Sequence, residues 1–265
     1  MKHYPKKRFG QNFLQDQAII AQIIAVLALK NHDNVIEIGP GMGALTGYLL
    51  TELDKLQVIE IDRDLIAYLQ QTFAHTHLHI HHADALTMDY GQWGGEARIV
   101  GNLPYNISTP LILHLLNYVQ NIKDMHFMLQ KEVVQRLAAC PGTKHYGRLS
   151  VMVQYHCQAI ELFDVPAAAF FPKPKVNSAI IRLIPYNKSP YPNIDVRLLE
   201  QVVARAFNMR RKTLANNLKG LISREQITAL GVDANKRPEQ LEVLDFIHLT
   251  ECVASTGEYR VPMAY

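Results

Sequence analysis

Cysteine is scarce in this chain: Cys140, Cys157 and Cys252 are the only three. The number is odd and no two are spaced as a zinc pair, so neither a disulfide framework nor a thiolate metal centre is expected; reduced thiols in a cytoplasmic protein are. Long apolar runs are also missing. The stretch Ala18 to Leu29 is too short to span a bilayer and is interrupted by Gln22, which fits a core-packing helix, and no secretory leader is evident. The formal net charge of +3 over 265 residues is mild and identifies no partner by itself. Also absent is the G-x-G-x-x-G spacing of a dinucleotide loop. Here the loop reads Gly39-Pro40-Gly41-Met42-Gly43, with the third glycine one position early. That spacing, with no evident hydride-transfer acid, disfavours a nicotinamide dehydrogenase.

What is present is a strand, glycine turn and helix. Asn34 to Ile38 reads as a buried parallel strand, the glycines break it, and helical spacing resumes from Gly43. Such a turn lets the backbone approach a ligand closely. The next strand, Leu56 to Ile61, carries Glu60, which lies 21 residues beyond Gly39, where an acid accepts hydrogen bonds from ribose hydroxyls. A third strand, His77 to His82, is followed by Asp84, placed to accept from an exocyclic adenine amine. A fourth, Ala97 to Val100, runs into Gly101-Asn102-Leu103-Pro104-Tyr105. Each polar residue alone reads as a solvated strand end. All of them in register mark the crevice at the carboxyl edge of an open α/β sheet.

Asn102 to Tyr105 points to a planar amine as substrate. An exocyclic adenine amine is a poor nucleophile because its lone pair is delocalised into the ring. The side-chain oxygen of Asn102 and the backbone carbonyl of Leu103 can each accept one N–H and so favour a pyramidal nitrogen. Pro104 restricts Leu103 to extended backbone, and Tyr105 offers a flat face to the base.

These residues, with Phe9-Gly10-Gln11-Asn12-Phe13-Leu14, Tyr146 to Ser150, Phe170-Phe171-Pro172-Lys173-Pro174-Lys175-Val176-Asn177-Ser178 and Arg210 to Leu214, occur in the order found in the rRNA adenine dimethyltransferase family, which the chain resembles over nearly its whole length. The resemblance implies a class I S-adenosylmethionine-dependent methyltransferase fold, α/β and Rossmann-like with a seven-stranded sheet, plus a small C-terminal all-helical domain. It implies S-adenosylmethionine as cofactor, held by Asn12, Leu14, Gly39, Gly41, Glu60, Asp84 and Asn102. Catalysis falls to Asn102, Leu103, Pro104 and Tyr105, with Phe170 clamping a flipped base opposite Tyr105. Many members carry a smaller residue at Phe171, which leaves open which ring stacks, although core is the expectation for Phe171. The substrate implied is two adjacent adenosines near the 3′ end of 16S rRNA in a partly assembled small ribosomal subunit. A large-subunit dimethyltransferase conferring antibiotic resistance, and an RNA-binding assembly factor with incidental catalysis, stay open as alternatives.

Charge distribution agrees with an RNA partner. Residues 1 to 8 hold Lys2, Lys6, Lys7 and Arg8 without an acid, and residues 197 to 224 hold seven cations against Glu200. Arg148, Lys173, Lys175, Arg210, Arg211 and Lys212 are the candidate RNA contacts. The proline-rich run Pro185 to Asn193 reads as a linker, separating a catalytic domain at 1–186 from a helical RNA-binding domain at 194–265. Helical spacing covers Asp195 to Phe207, Lys212 to Leu221, Ser223 to Leu230 and Pro238 to Val253. Leu149 to Phe163 and Val176 to Ile184 read as a late antiparallel pair closing the sheet. His75, His77, His79 and His81 would share one strand face, but no Cys or carboxylate ligand set accompanies them, so no metal is expected. A monomer is the default.

Overall fold

The computed structural model describes residues 11–209 and 211–255. It divides into two compact units. The first runs to Val134 and resumes from Gln158 to Pro185; the second comprises Gln135–Cys157 and the chain from Tyr186 onward.

The first unit is built on a seven-stranded sheet. Its strands are β2 (Val35–Ile38), β3 (Leu56–Glu60), β4 (Leu78–His82), β5 (Ala97–Asn102), β6 (Ile122–Gln130), β7 (Cys157–Val165) and β9 (Ser178–Pro185), in the order β4-β3-β2-β5-β6-β9-β7. A separate two-stranded ribbon joins β1 (Phe13–Leu14) to β8 (Phe170–Phe171). The helices are α1 (Gln17–Leu27), α2 (Thr46–Glu52), α3 (Arg63–Thr72) and α4 (Ser108–Leu115). Pairing is parallel from β4 through β6 and antiparallel between β6 and β9. Every residue of β2 and β3 is buried, as a strand covered on both faces requires, which is why these segments read as near-continuous apolar runs.

The strand order reverses at β2, whose neighbours are β3 on one side and β5 on the other. Ligands of open α/β sheets bind at such a switch point, outside the carboxyl ends of the strands. At the opposite end of β5, Arg98 closes the floor of the sheet. Its Nε and Nη2 donate to the two carboxylate oxygens of Asp124 at 3.0 and 2.9 Å, Nη1 donates to Asp33 at 2.7 Å, and Nη2 also donates to the Leu27 carbonyl at 2.6 Å. Burial alone would raise the Asp124 carboxyl, yet His126 and Arg98 together hold it at about 2. A buried ion cluster of this kind keeps its register because losing one partner strands the others in low dielectric.

Local capping follows the sequence closely. Asp16 accepts from the N–H groups of Ala18 and Ile19 and starts α1. Helix α2 begins at Thr46, three residues beyond the expected start, because the glycine loop continues through positive φ at Gly39, Gly41 and Gly43 (68, 58 and 80°).

The second unit is helical. Helix α5 (Lys131–Leu137) carries the chain into it, followed by α6 (Arg148–His156), α7 (Val196–Ala206), α8 (Leu214–Asn217), α9 (Arg224–Ala229) and α10 (Val243–Ser255). Asp195 caps α7, and Ser223 with Gln226 forms a reciprocal capping box on α9. The expected helix over Lys212 to Leu221 shrinks to the single turn α8, and Pro238 opens a short 3₁₀ turn before α10.

One expectation fails. Leu149 to Phe163 is not a single strand: its first half is α6 and only the remainder belongs to β7. Val151, Val153 and Tyr155 alternate like a strand, but Ser150 Oγ accepts the Gly147 N–H at 3.0 Å and donates to the Arg136 carbonyl, which fixes a helical first turn.

Candidate active site

The carboxyl ends of β2, β3 and β5 and the loop after β4 open into one cavity. Its walls include Asn12, Leu14, Gly39, Gly41, Glu60, Asp84, Asn102, Leu103, Pro104 and Tyr105. Residues separated by up to 93 positions in the chain, Asn12 and Tyr105, are thus brought together, and every expected cofactor-binding residue lies in this one wall.

Two backbone approaches make the geometry possible. Gly101 lies where a Cβ would come within 2.5 Å of the Ile38 carbonyl oxygen, so the ends of β5 and β2 can close on each other only without a side chain there. Gly41 has φ +58°, and a Cβ on it would meet the Phe13 ring at 3.1 Å. The β1 ribbon therefore lies across the glycine loop.

Asn102 is oriented by that ribbon. Its Nδ2 donates to the backbone carbonyl of Asn12 at 2.9 Å. Only the amide nitrogen can serve a carbonyl, so this bond distinguishes the two ends of the side chain and leaves Oδ1 as the acceptor for a ligand. The Leu103 N–H is occupied by the Met128 carbonyl at 3.2 Å, anchoring the turn to β6. Tyr105 is half-buried and its hydroxyl shares a 2.8 Å hydrogen bond with Ser178 Oγ. Burial raises the Tyr105 pKa against the opposing effect of Ser178, so the ring stays a neutral phenol and presents a face rather than a base.

The carboxylates differ in setting. Glu60 Oε1 accepts from the N–H groups of Ile61 and Asp62, both at 2.9 Å, and burial raises its pKa against the pull of those backbone donors. Asp84 is exposed and accepts from the Leu86 N–H at 2.9 Å. Among the described residues lining the cavity, the charged side chains are all acids and none is Lys, Arg or His. Those acceptors fit the groups S-adenosylmethionine offers besides its carboxylate, a sulfonium, an ammonium, ribose hydroxyls and an adenine amine; Glu60 would take the ribose and Asp84 the amine.

The two phenylalanines part company. Phe170 is 5% exposed, pairs with Leu14 across the ribbon and belongs to the core, and it does not line the cavity. Phe171 is 58% exposed, which reverses the expectation that Phe171 is core. A strand sends neighbouring side chains to opposite faces, and in this ribbon the face of Phe170 packs on the core while that of Phe171 is open.

The basic candidates fall in both units. Lys173 and Lys175 are exposed in the loop between β8 and β9. Arg148 donates to Glu200 at 2.6 Å with both side chains about half exposed (47% and 48%). Arg211 and Lys212 are exposed after α7, and Arg210 lies outside the described residues. Asn217 Nδ2 donates to the Met209 and Lys212 carbonyls at 3.2 and 3.4 Å, bracketing that basic turn.

Three residues of the site escape sequence reasoning. Gly101 and Ser178 act through contacts with distant segments, which no local pattern carries. Glu37 did leave a signal: an acid in the middle of a fully buried strand, where an ionisable residue needs a reason.

Comparison with known proteins agrees with this geometry. The family model for ribosomal RNA adenine dimethylase matches residues 2–255. The ribosomal RNA small subunit methyltransferase A of Legionella pneumophila (strain Corby) is 56% identical over 256 residues, covering 96% of this chain and 100% of that protein. Its counterpart from Pseudomonas syringae pv. tomato is 53% identical over 257 residues, 96% of each chain. The crystal structure of a dimethyladenosine transferase from Plasmodium falciparum superposes with a TM-score of 0.78 at 26% identity, covering 92% of this chain and 98% of that one.

Gly101→Ala is expected to force β5 away from β2, destabilising the protein by about 1–3 kcal/mol as an overpacked core does. It should also weaken S-adenosylmethionine binding. Thermal unfolding and calorimetric titration check this; wild-type values in both would show that the strand ends tolerate separation.

Proposed function

The chain belongs to the ribosomal RNA adenine dimethylase family, and from that premise we propose that it dimethylates N6 of two adjacent adenosines near the 3′ end of 16S rRNA within the small ribosomal subunit, as a step in subunit biogenesis. The enzyme is an S-adenosylmethionine-dependent methyltransferase. When bound, S-adenosylmethionine supplies an electrophilic methyl group on a cationic sulfonium.

The observation that carries the reading is the pinned Asn102. With Nδ2 held by the Asn12 carbonyl, Oδ1 is the preset acceptor for one N–H of the adenine amine, and the Leu103 carbonyl takes the other. Two acceptors draw the amine out of conjugation and aim its lone pair, at no reorganisation cost when the methyl arrives. No strong base is required, because the proton leaves the nitrogen only after the new bond has formed and water can take it. The neutral Tyr105 agrees with that. We assign Tyr105 and Phe170 to the two faces of the flipped base, each stack contributing roughly 1–3 kcal/mol. The small exposure of Phe170 makes Phe171 the rival for the second face.

The helical unit, with Arg148, Arg210, Arg211 and Lys212, and the loop bearing Lys173 and Lys175 are assigned to RNA phosphates. The expected division into a catalytic part at 1–186 and a helical RNA-binding part at 194–265 is kept with one change, since Gln135–Cys157 belongs to the helical unit; we read the protein as a cytoplasmic monomer without a metal. No helix among the described residues is long and apolar enough to cross a membrane.

The direct test is transfer of labelled methyl to small subunits and, in parallel, to large subunits, both from an unmodified strain, followed by nucleoside analysis. N6,N6-dimethyladenosine should form with wild type and fall by at least about 100-fold with Asn102→Ala, the scale of losing a preorganised polar contact. Label entering large-subunit rRNA instead, or full activity in Asn102→Ala, would overturn the reading. In the same assay Phe170→Ala should lose transfer with cofactor affinity intact; loss confined to Phe171→Ala would move the stacking role to Phe171.

Arg211→Glu or Lys212→Glu should weaken RNA binding and lower its salt slope by about 1 while leaving cofactor affinity alone. Unchanged RNA affinity at moderate salt would remove this turn from the RNA face.

A further inference from the structure

Of the three acids in the cavity wall, Glu37 has the fewest obligations to the fold. Asp84 is exposed at the rim, and Glu60 spends one oxygen on two backbone N–H groups. Glu37 is 2% exposed, and the hydrogen bond it accepts comes from the Thr46 hydroxyl to Oε2 at 2.7 Å. Its surroundings are neutral or like-charged. Helix α2 presents Thr46, β5 presents Val100 directly opposite, and β3 presents Glu60. The cavity side offers no cation among the described residues. Burial, with Glu60 adding to it, pushes the carboxyl up to about 7.

Register places this group close to the chemistry. Glu37 pairs with Val100, and Asn102 is the next residue on the same face of β5. Two residues beyond Glu37 is Gly39, whose built Cβ would lie 3.9 Å from the Asn102 carbonyl oxygen. An amine held by Asn102 requires the reacting methyl beside it. The charge change of the reaction is therefore placed about two residues, roughly 7 Å of strand, from Glu37. In that change the methyl carbon bonds to N6, the carbon–sulfur pair stays on sulfur, and the N6 proton goes to water, so the sulfonium becomes a neutral thioether.

We propose that Glu37 is the residue by which the cavity distinguishes S-adenosylmethionine from S-adenosylhomocysteine, its carboxylate favouring the cation and losing its counter-charge once the methyl has left. The proposal rests on the cofactor reading above. A buried carboxylate facing a cation stays ionised, whereas one facing a thioether takes up a proton. Binding of S-adenosylmethionine near neutrality should therefore release a proton from Glu37, and binding of the product should not. The sign follows: a cation lowers the Glu37 pKa, so the affinity ratio of cofactor to product rises with pH through neutrality.

Titration calorimetry of the full-length protein with each ligand at pH 5.5, 7.0 and 8.5, in buffers of different ionisation enthalpy, tests this. Wild type should show a ratio that rises by at least about fivefold across that range, a tenfold change corresponding to one pKa unit. It should also release a fraction of a proton with S-adenosylmethionine alone. Glu37→Gln, which keeps an acceptor for Thr46, should flatten the ratio and abolish the release. Thr46→Val leaves the carboxyl but removes its donor, and should move the rise to higher pH, a shift that loss of packing would not produce. A flat ratio in wild type, or an unchanged rise in Glu37→Gln, overturns the role of Glu37. Failure of wild type to bind either ligand overturns the cofactor reading itself and this inference with it.

Discussion

Everything in the cavity depends on how closely the ends of β2 and β5 approach. The Ile38 carbonyl occupies the space that any side chain at position 101 would need. That contact sets the turn of the glycine loop against the turn that carries Asn102, so Gly39 to Gly41 and Asn102 to Tyr105 share one wall instead of facing each other across solvent. The floor of the sheet is held as firmly. Arg98, bound by Asp124, Asp33 and the Leu27 carbonyl, locks the opposite end of the same strand. A strand pinned at its base and crowded at its tip has little freedom to splay, and positioning on the scale of an ångström is what methyl transfer requires.

The parts of this arrangement that follow chain-local rules are legible in the sequence. The strands ending near Ile38, Glu60 and Asn102 announce themselves as apolar runs, the one ending at His82 by alternation, and the caps at Asp16 and Ser223 by residue type. What escapes is long-range. Nothing near Phe13 says that its backbone pairs with Phe171, or that Asn12 offers a carbonyl to a side chain 90 positions away. Arg98 reads as one charge inside an apolar strand until the acids beneath it are known. The segment Leu149 to Phe163 misleads because alternation of Val151, Val153 and Tyr155 is as compatible with a helix buried on most sides as with a strand, and the deciding group, Ser150, acts through the remote Arg136 carbonyl. Phe170 and Phe171 are chemically identical, so only the pleat of the ribbon separates the core ring from the exposed one.

The electrostatics of the cavity are one-sided. Among the described residues acids line it and bases do not, with Glu37 and Glu60 buried and Asp84 exposed. Glu60 is buried yet supported by backbone donors, Asp84 is open to water, and Glu37 has a single hydroxyl for company. For the two buried glutamates the raised pKa has one cause, burial, set against different donors: a hydroxyl for Glu37 and backbone N–H groups for Glu60.

The ribbon of β1 and β8 has a consequence in time. It joins residues 13–14 to 170–171, so the carbonyl that orients Asn102 is fixed by a pairing between the first strand described and one more than 150 residues later. During synthesis on a ribosome, the glycine loop, Glu60, Asp84 and Asn102 all emerge before that partner exists. The pairing that holds the Asn12 carbonyl against Asn102 can form only once residues 170–171 have left the exit tunnel.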